Sequence, residues 1–424
     1  MKKVLIITYY WPPAGGPGVQ RVLKFVKYLP DLGWQPIILT VKNPTAPARD
    51  KSLLKKISNK LIIAKTHTIE PFNFYRAFTG KKSVLISKDT TNASEKESYK
   101  EKISRFIRAN FFIPDARCGW NPFMIFRGLS LIKKYKPDVI FSTAPPHSIN
   151  IGAAILSKIT KLPWISDFRD PWTMAYWNKD LPKSHLTKVI DHKLEKKCLQ
   201  KASVITTVSP ELKNSFSNLT KTKIQVIYNG FEKIKFNDIY KNDKKFQIIF
   251  FGNLTKFQNP LPLYNALTKL PENIKNSIEV VFIGKVFDEF KDKIRNRFNY
   301  ISTIFYSYMC YKKLMNFSQT ANILFFPLYK TNYSKGIVSA KLFDYLALRK
   351  PILLIGNTAG IAAKIIEKTD SGASFKPNEI DEIKQYIIKT FSTVPKMTYN
   401  EKLAPYITTN NLEKLVRIFQ KEVV

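Results

Sequence analysis

Short apolar runs recur along this chain, each about five residues long, each closed by a turn signal and most followed by a stretch of helical period. Residues 4–8 read as a buried strand, 20–32 as a helix and 36–41 as a second strand, a βαβ opening. Further strands are expected at 138–142, after a helix ending at Lys136, and at 164–166 and 203–208. Such an order predicts a parallel sheet with helices on both faces. The second half repeats the logic: a strand at 247–251 ending at Gly252, a helix at 262–269, a strand at 279–283 ending at Gly284, and another at 323–327. A second α/β domain is the simplest account, with residues 231–245, rich in Lys, Asn and Asp, as the linker. Two such sheets facing each other leave a cleft. Ligands of open α/β sheets sit at the carboxyl ends of strands, so chemistry is expected in the loops after Thr8, Ser142, Ser166, Val208, Phe251, Ile283 and Pro327.

Composition removes several other classes. The 424 residues are 44% hydrophobic, enough for real cores, and show no low-complexity tract or fixed-period repeat. Cys118, Cys198 and Cys310 are odd in number and far apart, as expected of reduced thiols. His185 and His192 lie seven apart, but no nearby cysteine completes a metal-ligand set. The N-terminus starts like a signal peptide, yet Tyr9, Tyr10, Trp11 and Pro12 break its apolar run. No apolar run approaches the ~18 residues of a membrane span, so a cytoplasmic protein is expected, with any membrane contact peripheral. The net charge of +37 attracts nucleic acid, acidic lipid or phosphorylated substrates without choosing among them.

A basic insertion occupies about 44–112, with amphipathic pieces at 51–61 and 99–112. In the second, Ile103, Phe106, Ile107 and Phe111 share one helical face while Lys100, Lys102, Arg105 and Arg108 surround it. That pattern fits an interfacial helix on anionic lipid, or a surface helix packing its stripe on the sheet.

Four stretches could carry chemistry. Residues 14–21, AGGPGVQR, form a glycine-rich turn opening a helix, where backbone N–H groups could meet a phosphate or sugar, or the chain could simply turn tightly. Neither the G-x-G-x-x-G spacing nor the G-K-[ST] of a P-loop is present, which removes the usual cradles for hydride transfer and NTP hydrolysis. The strand-end loops 142–148, STAPPHS, and 166–172, SDFRDPW, are dense in polar groups. Asp167, Arg169 and Asp170 either pair internally or face a substrate, and His147 either donates to a substrate hydroxyl or is structural. Within 330–351, Lys341 and Asp344 lie three apart near a helix start, suited to a phosphate and to ribose hydroxyls, or to a solvated pair.

Together, Gly15-Gly16 with Arg21, STAPPHS, SDFRDPW, TTVSPEL at 206–212, VIYNGFE at 226–232, FFGNL at 250–254 and SAKLFDYLALRKP at 339–351 resemble glycosyltransferase family 4 with the GT-B fold, over nearly the whole chain. FIPDARCGW at 112–120 resembles the subgroup that builds cell-envelope polysaccharide. The resemblance implies two Rossmann-like domains facing across a cleft: an acceptor domain at 1–232, a donor domain at 233–403, and a C-terminal helix at 404–424 packing back on the first. It implies a retaining, hexosyltransferase-like transfer from a nucleotide diphosphate sugar to a lipid-linked or polysaccharide acceptor, at the inner face of the plasma membrane. No cofactor or metal is expected, and the sequence independently lacks the D-x-D pair by which another fold holds a divalent cation.

By the same resemblance His147, Asp167 and Arg169 are catalytic; Gly16, Asn253, Lys256, Lys341 and Asp344 bind the donor; and Gly15, Arg21 and Asp170 lie on the acceptor side. Asn229 and Gly230 mark the hinge. The chain departs from the family pattern at Gly336, where the first of two glutamates is usual, and at Asn253, where Arg is common, with Lys256 an approximate match to the neighbouring Lys. With no carboxylate placed as a nucleophile, front-face attack with a diphosphate oxygen as base is favoured. The competing readings are a nucleotide-sugar epimerase of similar fold, a nucleic-acid binder supported by charge alone, and a catalytically inactive relative.

Overall fold

The computed structural model describes residues 1–46, 49–69, 99–175, 178, 181–234, 245–329, 336, 338–393 and 398–423. Two compact units emerge, one made of Met1–Tyr228 with Asn411–Val424 and the other of Asn229–Asn410.

Unit 1 is built on seven parallel strands: β1 (Lys2–Ile7), β2 (Trp34–Val41), β3 (Ile62–Thr66), β4 (Val139–Ala144), β5 (Trp164–Phe168), β6 (Val204–Thr207) and β7 (Ile224–Val226). Their order is β3-β2-β1-β4-β5-β6-β7, so the winding reverses between β1 and β4. Its helices are α1 (Pro17–Tyr28), α2 (Tyr99–Phe111), α3 (Asn121–Tyr135), α4 (Ser148–Thr160), α5 (His185–Lys201) and α6 (Pro210–Ser217).

Both sheet faces are covered, and the alternation of side chains along β1 shows how. Leu5 and Ile7 face a core shared with Met124 of α3, Ile149 and Leu156 of α4 and Leu199 of α5. Val4 and Ile6 face the opposite core, shared with Val22 and Phe25 of α1. That second core also holds Leu412, Leu415, Val416 and Phe419, a stripe at helical spacing near the C-terminus. Phe419 meets Trp34 and Phe141 edge-on, at centroid distances of 5.2 and 5.8 Å.

Unit 2 has six parallel strands: β8 (Phe246–Phe251), β9 (Ile278–Ile283), β10 (Thr303–Tyr306), β11 (Ile323–Pro327), β12 (Ile352–Ile355) and β13 (Gly372–Phe375). The order β10-β9-β8-β11-β12-β13 again reverses beside its first strand, between β8 and β11. Its helices are α7 (Leu261–Thr268), α8 (Glu272–Lys275), α9 (Asp288–Arg297), α10 (Tyr311–Phe317), α11 (Ala340–Leu348), α12 (Ile361–Lys368) and α13 (Ile380–Ser392); α14 (Thr408–Glu422) follows and carries the C-terminal stripe. Where the chain enters and leaves this unit, Phe231 pairs with Ile407 in an isolated parallel bridge, just after Asn229 and Gly230.

Two expectations are corrected. The amphipathic piece expected at 51–61 is not one continuous element: a 3-10 turn, Lys51–Lys56, capped by Asp50, is followed by a short link into β3. Asp167 does not sit in a loop, because β5 continues through Asp167 and Phe168. Parts of the 44–112 insertion and of the linker at 231–245 lie outside the described residues.

Candidate active site

In unit 1 the predicted residues converge at the carboxyl ends of β1, β4 and β5, beside the reversal in strand order. Gly15 and Gly16 lead into α1, and Gly16 adopts φ 108°, a conformation glycine reaches without strain. No side chain caps this helix start, and a Cβ on Gly16 would meet open space. In its first turn Pro17 has no N–H, and the Val19 and Gln20 amides donate to the Gly16 carbonyl, both at 3.2 Å.

One turn in, Arg21 turns inward. Its Nε and Nη2 donate to the two carboxylate oxygens of Asp167 at 3.1 and 2.8 Å, and Nη1 donates to the Tyr228 carbonyl at 3.0 Å. Asp167 also accepts from the hydroxyls of Thr143 and Thr206, at 2.7 and 2.8 Å. Both partners are buried. Four donors on two oxygens leave this carboxylate nothing to offer a substrate, which corrects its catalytic assignment: Asp167 is a positioning residue, tying α1 to three strands. Arg21 likewise leaves the acceptor side and becomes part of the frame.

Arg169 is different. Its Nε and Nη2 donate to the carbonyls of Ala144 and Pro145, at 3.1 and 2.7 Å. Its Nη1 lies against Gly18, where a Cβ would come within 2.1 Å of it, and makes no hydrogen bond among the described residues. Gly18 is thus what lets the guanidinium lie on the first turn of α1. Desolvation pulls this guanidinium below its usual value, opposed by Asp170 and Asp167. Asp170 is half-buried beside it.

His147 immediately precedes α4 and is buried. Its ring stacks on Trp172 at 5.1 Å and 14°, and on Phe168 at 5.9 Å. Neither ring nitrogen makes a hydrogen bond of good geometry. Burial drives its pKa down to about 4, against the opposing fields of Asp115, Asp170 and Asp191, so the imidazole is neutral near pH 7. Trp172 is held in turn by donation from its indole N–H to Asp191 at 2.6 Å, and Asp191 also pairs with Lys183. Asp115 caps α4 by accepting from the Ser148 amide and hydroxyl, both at 2.9 Å. Sequence reasoning quoted Asp115 and Trp172 only inside longer motifs.

In unit 2 the site forms around Lys341, in the first turn of α11, whose N-cap is Ser339. The ammonium lies 3.8 Å from the centroid of the Phe250 ring and beside Gly252, where a Cβ would crowd it at 3.3 Å. It makes no hydrogen bond or ion pair among the described residues. Burial lowers its pKa to about 7, with Asp344 pulling the other way. Asp344, one turn on, accepts from the Tyr311 hydroxyl at 2.8 Å. Burial, then Asp344 and Glu232, hold that phenol well above its ordinary value. Tyr311 and Phe250 were not anticipated as site residues, and for Tyr311, 33 positions away, no local signal existed.

The other donor-side residues are not gathered in. Asn253 is exposed, and Lys256 is exposed with its ammonium over the Phe257 ring, 5.3 Å from the centroid. Gly336 is half-buried. Among the described residues no group of three or more His, Cys, Asp or Glu could hold a metal ion, and no helix is long and apolar enough to cross a membrane. The three cysteines are free thiols, and burial pushes that of Cys198 up to about 12.

The family model described as Glycosyltransferase Family 4 matches residues 16–233, more than half of the chain. The chain belongs to glycosyltransferase family 4. A second model, Glycosyl transferases group 1, matches residues 231–402, so the two overlap only at 231–233 and fall largely on the two structural units. An uncharacterized glycosyltransferase of Methanocaldococcus jannaschii is 24% identical over 251 residues, 56% of this chain and 62% of that relative. The chain thus matches less than two thirds of that relative's length. Among solved structures, a glycosyltransferase from Rickettsia africae is 15% identical with a TM-score of 0.59, covering 99% of this chain and 98% of that one. A lipopolysaccharide outer core galactosyltransferase is 12% identical with a TM-score of 0.57, covering 99% and 100%. At these identities the likeness shows the fold of this glycosyltransferase, two parallel-sheet Rossmann-like units as in GT-B structures.

Proposed function

We propose that this glycosyltransferase moves a sugar from a nucleotide diphosphate sugar to a lipid-linked or polysaccharide acceptor, with retention of configuration and without a metal. The setting is cell-surface polysaccharide synthesis on the cytoplasmic side of the membrane. One observation carries the reading: the Lys341 ammonium, desolvated over Phe250 and unpaired among the described residues, stands at the end of β8 in the first turn of a helix. A cation so placed is costly until an anion arrives, and a diphosphate supplies one. The amide groups at that helix start add to its attraction for phosphate.

The reaction this supports is a front-face displacement. The bond from the anomeric carbon to the diphosphate oxygen breaks, the acceptor oxygen bonds to that carbon on the same face, and the acceptor proton passes to the diphosphate. Lys341 offsets the charge growing on the leaving group, where a single well-placed donor contributes about a hundredfold or more in rate. Asp344, steadied by Tyr311, accepts from ribose hydroxyls. In unit 1, neutral His147 and the Arg169 guanidinium supply polar groups to the acceptor side.

A thermal-shift panel of nucleoside diphosphates and their sugars tests this. One base should raise the melting temperature, since a ligand at 100 times its Kd stabilises by about 2.7 kcal/mol, and Lys341→Ala should abolish the shift. Absence of any shift would sink the donor assignment. Incubation with donor alone separates transfer from epimerisation, because an epimerase converts the sugar with no acceptor present.

A further inference from the structure

We infer that Arg169 is the seat for an oxyanion carried by the acceptor, a phosphate ester or a carboxylate. That the bearer is the acceptor rests on the proposed function; that an oxyanion binds here does not.

Arg21 and Arg169 engage the same two guanidinium nitrogens with different partners. Nε and Nη2 of Arg21 meet a carboxylate, Asp167, whose remaining capacity Thr143 and Thr206 take up. Nε and Nη2 of Arg169 meet two neutral carbonyls, those of Ala144 and Pro145. A carbonyl accepts a hydrogen bond without cancelling a charge, so the second guanidinium is held but not answered. Asp167 is already spent on Arg21. Among the described residues Arg169 has no ion pair, although the field of Asp170 reaches it.

Three bonds fix the residue. Its backbone amide donates to the Ala144 carbonyl at 3.0 Å, one step beyond the β4–β5 ladder, and Nε returns to the same oxygen at 3.1 Å. Nη2 reaches the Pro145 carbonyl at 2.7 Å, and Nη1 then lies on Gly18, where no Cβ would fit. The Nη1 side of the fork is left with N–H groups in a set plane, the geometry that takes the oxygens of a phosphate or carboxylate. Two residues before Gly18, a Cβ on Gly16 would meet nothing within 4 Å, so the approach to the start of α1 is open.

A second unanswered donor stands nearby. His147 is 8% exposed, its ring stacks on Phe168, the residue before Arg169, and neither ring nitrogen has a hydrogen bond of good geometry. The neutral ring keeps one N–H, and a buried donor without an acceptor is costly. A ligand rich in acceptor oxygens and negative in charge serves both groups; a neutral sugar serves only the imidazole. With Asp167 closed to hydroxyls, nothing on β5 copies the Lys341–Asp344 arrangement that suits a nucleotide in unit 2, so the anion belongs to the acceptor.

Glucose, glucose 1-phosphate and glucuronate are titrated by calorimetry at fixed ionic strength, which holds the general attraction of a +37 chain constant. The reference protein is full-length Lys341→Met, so that phosphate captured in unit 2 is not counted. One of the two anionic sugars should bind at least about tenfold more tightly than glucose, the worth of one charge-assisted hydrogen bond. Glucose 1-phosphate ahead points to a lipid-linked acceptor, and glucuronate ahead to an acidic polysaccharide. Adding Arg169→Gln should erase the preference. Adding Gly18→Ala instead should erase it with the arginine still present, because the new Cβ displaces Nη1; alanine suits a helix better than glycine, so the fold is kept. An unchanged melting temperature establishes that each variant is folded. Equal binding of the three sugars, or no measurable binding of either anion, would overturn the assignment. So would a preference that survives both Arg169→Gln and Gly18→Ala, or anionic sugars that bind the parent but not Lys341→Met, which would put them in unit 2. None of these outcomes touches the donor assignment, which the nucleotide panel tests separately.

Discussion

Both units place a desolvated cation at the reversal in strand order beside their first strand, buried Arg21 in one and half-buried Lys341 in the other, and they treat it in opposite ways. In unit 1, Arg21 is neutralised inside the protein by Asp167, with Thr143 and Thr206 completing the carboxylate's bonding. In unit 2, Lys341 has an aromatic ring beneath it and a carboxylate within electrostatic range, but no ion pair of its own among the described residues. The first arrangement spends its charge on holding α1 against β4, β5 and β6. The second leaves its charge for a ligand. Rigid frame and reactive site are separated by which desolvated charge has been answered.

The largest effect is expected where the frame is broken. Asp167→Ala leaves the Arg21 guanidinium buried without its anion, and losing one partner of such a pair costs about 3–5 kcal/mol. The unfolding transition that includes unit 1 should move down accordingly in a denaturant titration, while nucleotide binding by unit 2, measured well below that transition, persists. A small shift would mean that the pair is not what holds α1 in place.

Legibility in the sequence followed the range of the interactions. The strand at 323–327 appears as β11 at those residues because five consecutive apolar residues bounded by a turn leave few alternatives. The strands β10 and β13, half-buried along most or all of their length, gave no continuous apolar run to detect. Lys341 and Asp344 were readable because one helical turn fixes their spacing. The Arg21–Asp167 pair spans 146 positions, and the Asp344–Tyr311 bond spans 33, so only the fold brings those groups together. For the same reason Asp167 looked reactive in isolation: its two threonine donors come from other strands.

A medium effect is expected from His147, whose neutral ring is buried and stacked on Trp172. Its folded pKa of about 4 lies below the ordinary value of 6.5, so the unfolded chain binds the extra proton first. Stability from this group is fully present above pH 6.5 and is lost as pH falls from 6.5 towards 4, by at most about 3 kcal/mol. His147→Phe keeps the stack on Trp172 and removes the titration. The parent's denaturation midpoint should fall across that window more steeply than the variant's. Parallel pH profiles would show that the ring is not buried neutral.

The smallest effect sharpens the other half of the comparison. Lys341 has a folded pKa of about 7, lowered by burial, and a bound diphosphate raises it by restoring a partner. Donor binding therefore takes up a proton above pH 7, and affinity should decline as pH rises from 7 to 9, by at most about tenfold per unit. A nucleotide diphosphate sugar is the right probe, since its diphosphate carries no ionisation in that range. Lys341→Met should bind more weakly at pH 7 and show no such decline, whereas Asp167→Asn should leave the slope intact. A parent whose affinity is flat from pH 7 to 9 would mean that Lys341 is fully charged before the donor arrives. Its burial would then already be answered within the protein, and the contrast between the two cations would fail.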